Sequence, residues 1–245
     1  MGEKTIGIAV TAPDAASTVE QIVRLERQGV PAAWLTTGGA RPDGLTVLAA
    51  AATRTERILL GTSIVPILPR HPIVVAQQAQ VVAALAPGRF RLGLGPSHRP
   101  SMQATFGLEL TSPLGRLREY VQAVRSLLHT GAVDLDGRFY VAHARIERPV
   151  QVPVMVSALR APAYRLAGEV ADGAISWVSP GVYLRDVALP ALRQAAQATG
   201  RAVPALVAHA PVCVHEDLRE VVAAAREQLG NYPRLPFYAA MFQAA

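Results

Sequence analysis

Short apolar runs alternate with longer stretches of helical periodicity along almost the whole chain. The runs "TIGIAV" (5–10), "AAWLTT" (32–37), "RILLGTSIVPI" (57–67), "RFRLGLG" (89–95), "VPVMVSA" (152–158), "GAISWVS" (173–179) and "ALVAHAPVCV" (205–214) read as buried strands. Between them, "STVEQIVRLERQG" (17–29) opens with Ser17 and Glu20 at capping-box spacing and ends on Gly29. "LGRLREYVQAVRSLLHTG" (114–131) sets Leu114, Leu117, Val121, Val124 and Leu128 on one helical face. "DLREVVAAAREQLG" (217–230) repeats the device with Leu218, Val221, Val222, Ala225 and Leu229. Helices with one apolar face cover a sheet, so the pattern predicts βα units around a parallel sheet. The longest irregular region, 96–114, follows the fourth strand, and "DLDGRFYVAHARIERPVQ" (134–151) predicts a hairpin or excursion before the fifth.

A chain of 245 residues without internal repeats or a Gly/Ser-rich linker predicts a single domain over 1–245. The strand count leaves a choice between an open doubly wound sheet and a closed barrel. A dinucleotide-binding sheet needs G-x-G-x-x-G after its first strand, and "GIAVTAPDAAS" (7–17) has none. Gly93 and Gly95 come later and lack the third glycine. In a barrel, the loops after the strands build the site, and both irregular regions follow strands.

Composition narrows the chemistry. The chain is 51% hydrophobic and 17% charged, and no run of about 18 apolar residues lacks a charge or break, so no membrane span is expected. The opening "MGEKTIGIAV" has no signal-peptide order, and the expectation is a cytoplasmic protein. The net charge of +6 comes from scattered arginines with only 5% aromatic residues, which argues against nucleic acid and suits a small anionic ligand. Cys213, the single cysteine, is expected as a small buried hydrophobe. No H-E-x-x-H, cysteine ligand set, G-x-S-x-G elbow or P-loop is present, and the histidines are widely spaced, so no metal site is expected.

The segment "LGTSIVPILPRHPIVVAQQAQVVAALAPGRFRLGLGPSHRP" (60–100) resembles the luciferase-like monooxygenase superfamily, in particular its actinobacterial F420-dependent oxidoreductases. The shared order is a strand ending in G-T-x-V, then R-H-P, a helix near A-Q-Q-A, G-R-F-x-L-G-x-G and S-H-R. "FGL", "REY", "PVMVSAL", "LAGEVADGAISW", "APVCV" and "YPRLPFY" follow in sequence order. The resemblance implies a TIM-type (β/α) barrel of eight strands, with a flavin-like ring at its C-terminal mouth. It implies F420 as cofactor and hydride transfer involving a small-molecule substrate, the alternative being an FMN-dependent monooxygenase that carries out oxygen chemistry on reduced FMN.

Carried over residue by residue, "GTSIV" implies a cis peptide between Ser63 and Ile64 against the back of the ring. In "GLGPSHR", the resemblance assigns Gly95, Pro96, Ser97 and His98 to the cofactor, with His98 also the catalytic candidate that donates to the ring or substrate, or stabilises charge on it. In "VSALRAP", Ser157, Ala158, Leu159 and Arg160 match a loop usually richer in glycine, and Arg160 either pairs with a phosphate or glutamate tail or folds out to solvent. Trp177 is either core or faces the ring, and Trp34 reads as core. Arg70 and His71 follow the third strand and are candidates for substrate binding, the alternative for His71 being a cap on the next helix. Family chains continue beyond "YPRLPFYAAMFQAA", so a barrel lacking its last βα unit is expected. The segments 43–56 and 72–86, apolar on more than one face, suggest a homodimer. The loop departures leave a non-catalytic flavin- or deazaflavin-binding protein as the rival reading.

Overall fold

The computed structural model describes residues 5–245, which form two compact units: residues up to Ser157 with Val170–Asp172, and Ala158–Glu169 with Gly173–Ala245. The first unit runs β1 (Ile8–Val10), α1 (Ala15–Arg27), β2 (Ala32–Leu35), α2 (Gly44–Ala52), β3 (Leu59–Thr62), β4 (Val65–Pro66), α3 (Pro72–Leu85), β5 (Phe90–Gly95), α4 (Arg99–Phe106), α5 (Pro113–Arg125), β6 (Ala132–Asp136), β7 (Val141–Arg145) and β8 (Val154–Ser157). Its sheet has the order β1-β2-β3-β5-β8, every pair parallel, with β4 also beside β5. Leu60 stands opposite Phe90 and Leu92 opposite Val154. These strand residues are buried, as continuous apolar runs covered on both faces require.

The helices bury the stripes their sequences carry. α1 covers the sheet with Val19, Ile22 and Val23, and α5 with Leu117, Tyr120, Val121 and Val124. α1 begins earlier than the capping box predicts. Asp14, not Ser17, is the cap: its extended backbone lets the carboxylate accept the Ser17 N–H at 2.8 Å and the Ser17 hydroxyl at 2.8 Å. Glu20 pairs instead with Arg54. The irregular stretch after the fourth strand contains α4, and the expected hairpin is the antiparallel pair β6–β7. Asp172 clamps the unit from below β8: it accepts two bonds from Arg125, at 3.1 and 2.8 Å, and the Val154 N–H at 2.9 Å.

The second unit contains α6 (Ala161–Val170) but for its last residue, β9 (Gly173–Trp177), α7 (Gly181–Tyr183), α8 (Leu189–Ala198), β10 (Ala205–His209), α9 (Leu218–Leu229) and α10 (Pro236–Gln243). β9 and β10 are parallel, with Ile175 opposite Val207. β10 stops at His209, five residues short of the run 205–214, where Pro211 has no N–H to extend the ladder. Cys213 therefore lies outside the strand and is exposed, which corrects the expectation of a buried thiol. α9 forms as its periodicity predicts, with Asp217 accepting the Arg219 N–H at 2.8 Å, yet none of its residues is buried and Leu218 is 72% exposed. The expected sheet-covering role of this helix is not what the described residues provide. Periodicity builds the helix, but a covered face needs a neighbour.

Candidate functional site

The third predicted strand is broken in two by the peptide bond between Ser63 and Ile64, which is cis. Its neighbours hold the break through the backbone. Ser63 N–H donates to Leu35 O at 2.9 Å, Thr36 Oγ1 donates to Ser63 O at 2.9 Å, and Thr37 N–H donates to Ile64 O at 3.3 Å. On the other side Ile67 N–H donates to Gly95 O at 3.0 Å. The buried Thr62 hydroxyl replaces the interrupted ladder, donating to Gly93 O at 2.9 Å and accepting the Gly93 N–H at 2.8 Å. β4 then resumes pairing, Val65 with Leu94 and Pro66 with Gly95.

Three predicted positions meet at this point. A Cβ on Gly95 would lie 2.3 Å from Ser157 Oγ and 3.0 Å from Ile64 Cγ1, so the end of β5 tolerates no side chain between the end of β8 and the broken strand. Pro96, Ser97 and His98 follow directly. Ser97 has φ 61°, a left-handed conformation costly for a residue other than glycine and common where a loop is shaped for a ligand. His98 is the N-cap residue of α4 but makes no capping hydrogen bond with its side chain. Burial pushes its imidazole pKa below the usual value, so the ring is neutral at neutral pH.

Arg70 and His71 belong to a second network. The Arg70 guanidinium is bound to Asp43 and lies 3.4 Å from Gln78 Oε1, while Gln78 Nε2 donates to Asp43 at 3.3 Å. Asp43 also caps α2 by accepting the Thr46 N–H and hydroxyl at 3.0 and 2.7 Å. Burial works to raise its pKa, but the bonds from Thr46 and Arg70 outweigh it and keep the carboxylate ionised. His71 caps α3: Nδ1 accepts the Ile73 N–H at 3.3 Å, which leaves the proton on Nε2 to donate to Val141 O at 2.9 Å. Its helix-entry role is thus realised, and its second nitrogen is spent on β7.

The remaining predicted residues lie in the second unit. Ala158 is buried and its N–H donates to Ile175 O at 2.8 Å; Leu159 is half-buried and Arg160 exposed. Burial pushes the Tyr183 phenol up, and Arg160 offsets part of the rise. Trp177, half-buried at the end of β9, meets His209 and Tyr232 edge-on, with ring centroids 6.3 and 6.0 Å away. Val178, next along, has φ 52°, a strained state for a β-branched residue. Trp34 is core, 8% exposed, its ring filling the space a side chain on Gly61 would need.

Sequence reasoning did not single out Thr62, Thr36, Val178 or His209. The available signal was position alone: each ends a strand or stands within one residue of its end. Burial lowers the pKa of His209 as it does that of His98.

The residues present suit a flat, polar-edged ring. Ser63 Oγ is buried without a hydrogen-bond partner among the described residues, Ile64 offers an apolar side chain beside it, and Gly95 keeps the backbone low. Ser63, Ile64, Gly95, Ser97, His98 and Ser157 are the first unit's candidates for holding such a group.

Residues 3–245 match the luciferase-like monooxygenase family. The chain is similar to the F420-dependent glucose-6-phosphate dehydrogenase of Beutenbergia cavernae, 42% identical over 176 residues that make up 69% of this chain and 52% of that protein. It thus spans about half the length of the curated relatives it matches. Its fold is similar to that of an F420-dependent secondary alcohol dehydrogenase in complex with an F420-acetone adduct, with TM-score 0.83, 20% identity and coverage of 93% of this chain and 75% of that one. It is also similar to the F420-dependent tetrahydromethanopterin reductase of Methanopyrus kandleri, with TM-score 0.78, 20% identity and coverage of 100% and 83%. The fold is therefore the TIM-barrel-like α/β fold of these proteins, and the chain belongs to the luciferase-like monooxygenase family.

Proposed function

We propose that the protein is an F420-dependent oxidoreductase that moves a hydride between the deazaflavin and a small organic substrate. The observation that carries this reading is the 42% identity over 176 residues to a protein named as F420-dependent. Bound F420 supplies the hydride chemistry at C5 of its ring, and the chain supplies position and proton handling. Ser63 and Ile64 support the ring from behind, and Gly95 lets the backbone come close. Ser97 and Ser157 offer hydroxyls at its polar edge. His98, neutral because it is partly desolvated, takes or returns the proton that accompanies hydride transfer.

We further propose that it works in the cytoplasm as a homodimer. α2 and α3 carry no charged residue, and α3 exposes Val74, Val81 and Leu85 on one stripe, an apolar surface suited to a second copy. An exposed lone cysteine calls for no oxidising compartment.

The test is a titration of purified protein with F420 and with FMN, followed by deazaflavin fluorescence and flavin absorbance. Saturable binding of F420 in preference to FMN is the expected result. Preference for FMN would replace the reading with a flavin monooxygenase, and no binding of either would end it.

A further inference from the structure

Two loops at the strand ends of the first unit are tied together at both of their ends. The loop after β2 starts with Thr36 Oγ1 donating to Ser63 O at 2.9 Å and Thr37 N–H donating to Ile64 O at 3.3 Å. It finishes on Asp43, which binds the Arg70 guanidinium and accepts the Gln78 amide at 3.3 Å. Thr36 and Ser63 are 27 residues apart, and so are Asp43 and Arg70, so the two segments are tied in one register from strand end to helix entry.

Between these ties the first loop makes one tight turn. Arg41 N–H donates to Gly38 O at 3.4 Å, and Gly39, with φ 57°, takes a left-handed conformation inside it. A side chain on Gly38 or Gly39 would meet nothing within 4 Å, so the turn stands clear of its neighbours. A closed turn keeps the Cα of Arg41 within about 7 Å of that of Gly38, the residue after the Thr37–Ile64 bond. Arg41 is therefore an exposed cation on a short, fixed tether beside Ser63 and Ile64. Tethering at both ends also lowers the ordering cost that a long free loop would charge against ligand binding.

The charge of the two loops does not balance internally. The charged residues of segments 36–43 and 63–70 are Arg41, Asp43 and Arg70, and the last two neutralise each other. Among the described residues Arg41 forms no ion pair. What the loops leave unmatched is one guanidinium, whose planar fork fits the two oxygens of a carboxylate. A phosphate ester carries about two negative charges near neutral pH and calls for a second cation, which these loops do not offer.

We propose that Arg41 is a specificity residue that receives the carboxylate of a small keto or hydroxy acid, whose reacting carbon lies at the strand ends beside Ser63 and Ile64. The proposal rests on the reading above that hydride transfer with F420 takes place there, and it adds the substrate class.

The experiment compares wild type with R41Q, R41K and R57Q, the last an exposed arginine just before β3, at the opposite ends of the strands. The probes are pyruvate, acetoacetate and levulinate, each beside its methyl ester, and acetonyl phosphate. Binding is read at low salt from the thermal midpoint with and without F420, and KM and kcat are measured with reduced F420. At least one keto acid should bind wild type about three- to tenfold more tightly than its ester; R41Q should level the two, R41K restore part of the difference and R57Q match wild type. In turnover the R41Q loss should fall on KM for the acid and leave kcat, as for a contact made equally in ground and transition states. A wild type that distinguishes no acid from its ester, an R41Q that still does, or an equal loss in R57Q overturns the proposal. Preference for acetonyl phosphate over every keto acid overturns the carboxylate assignment. Discrimination that depends on Arg41 in a protein that binds no F420 keeps the carboxylate site and refutes the F420 reading, whereas F420 binding without discrimination keeps that reading and refutes the site.

Discussion

Helices α5 and α9 are written in the same way, with leucines and valines recurring every three or four residues and arginines and glutamates between them. α5 buries Leu117, Tyr120, Val121 and Val124 completely, whereas α9 buries nothing and leaves Leu218 open to solvent. The difference lies in what surrounds each helix. α5 packs on α3 and β5 in a unit of parallel strands; α9 follows an exposed stretch, 210–217, after a strand that Pro211 cuts short. Amphipathic periodicity is thus a statement about a helix's own faces, and the stability drawn from it depends on a neighbour.

The largest expected effect separates these two helices directly. Leu117→Ala should cost about 2–5 kcal/mol in chemical denaturation, the range for a leucine removed from a closed core, while Leu218→Ala should stay within about 0.5 kcal/mol. Equal losses would mean that α9 is covered in solution and would erase the contrast.

The next effect sharpens the comparison at the strand ends of the first unit. His98→Ala should lower turnover with F420 by roughly 10², with a folded structure unchanged by circular dichroism, if the imidazole handles the proton. A variant with weakened cofactor affinity and intact turnover would reduce His98 to a contact of the ring. Wild-type values for both would make it loop packing.

Thr62→Val probes how firmly the broken strand is tied to β5. The valine keeps the shape and removes both bonds to Gly93, leaving a buried N–H and C=O unpaired, at a cost of about 1–3 kcal/mol read from the denaturation midpoint. A neutral result would show that the break is held by its flanking backbone bonds alone.

The smallest effect is at the hairpin. His143 lies between Asp134 and Asp136, at 2.6 and 3.2 Å, and their hydrogen bonds raise its pKa above 6.5. The folded state therefore holds this proton more tightly than the unfolded chain. The contribution to stability is fully present below 6.5 and fades as the pH rises through the folded value. The thermal midpoint of His143→Asn should lack that upper part of the pH profile, and identical profiles would remove the clamp from the account.

Much of the fold was legible because its strands are continuous apolar runs and its helices carry single stripes, patterns set by local geometry and solvent. The hairpin, the run of βα units and the break at "GTSIV" were readable in the same way, the last through resemblance. The start of α1 was less so, since Asp14 and Ser17 both offer a cap and the choice turns on which residue adopts the extended backbone. Of the site, Gly95, Ser157 and Ile64 were named from motifs far apart in the chain, but their meeting within van der Waals reach required the register of β4, β5 and β8.

The sequence by itself determined which segments become strands and helices, and that β5 ends on a glycine with a serine and a histidine just beyond it. Only the tertiary structure decided that Arg70 is neutralised by Asp43, that His71 spends both nitrogens on backbone, and that Arg116 and Arg138 meet over one ring. It also decided that Cys213 and Leu218 of α9 stand in solvent. Propensity and periodicity act over a few residues, whereas burial and charge pairing depend on groups tens of residues apart, whose proximity exists only once the chain has packed.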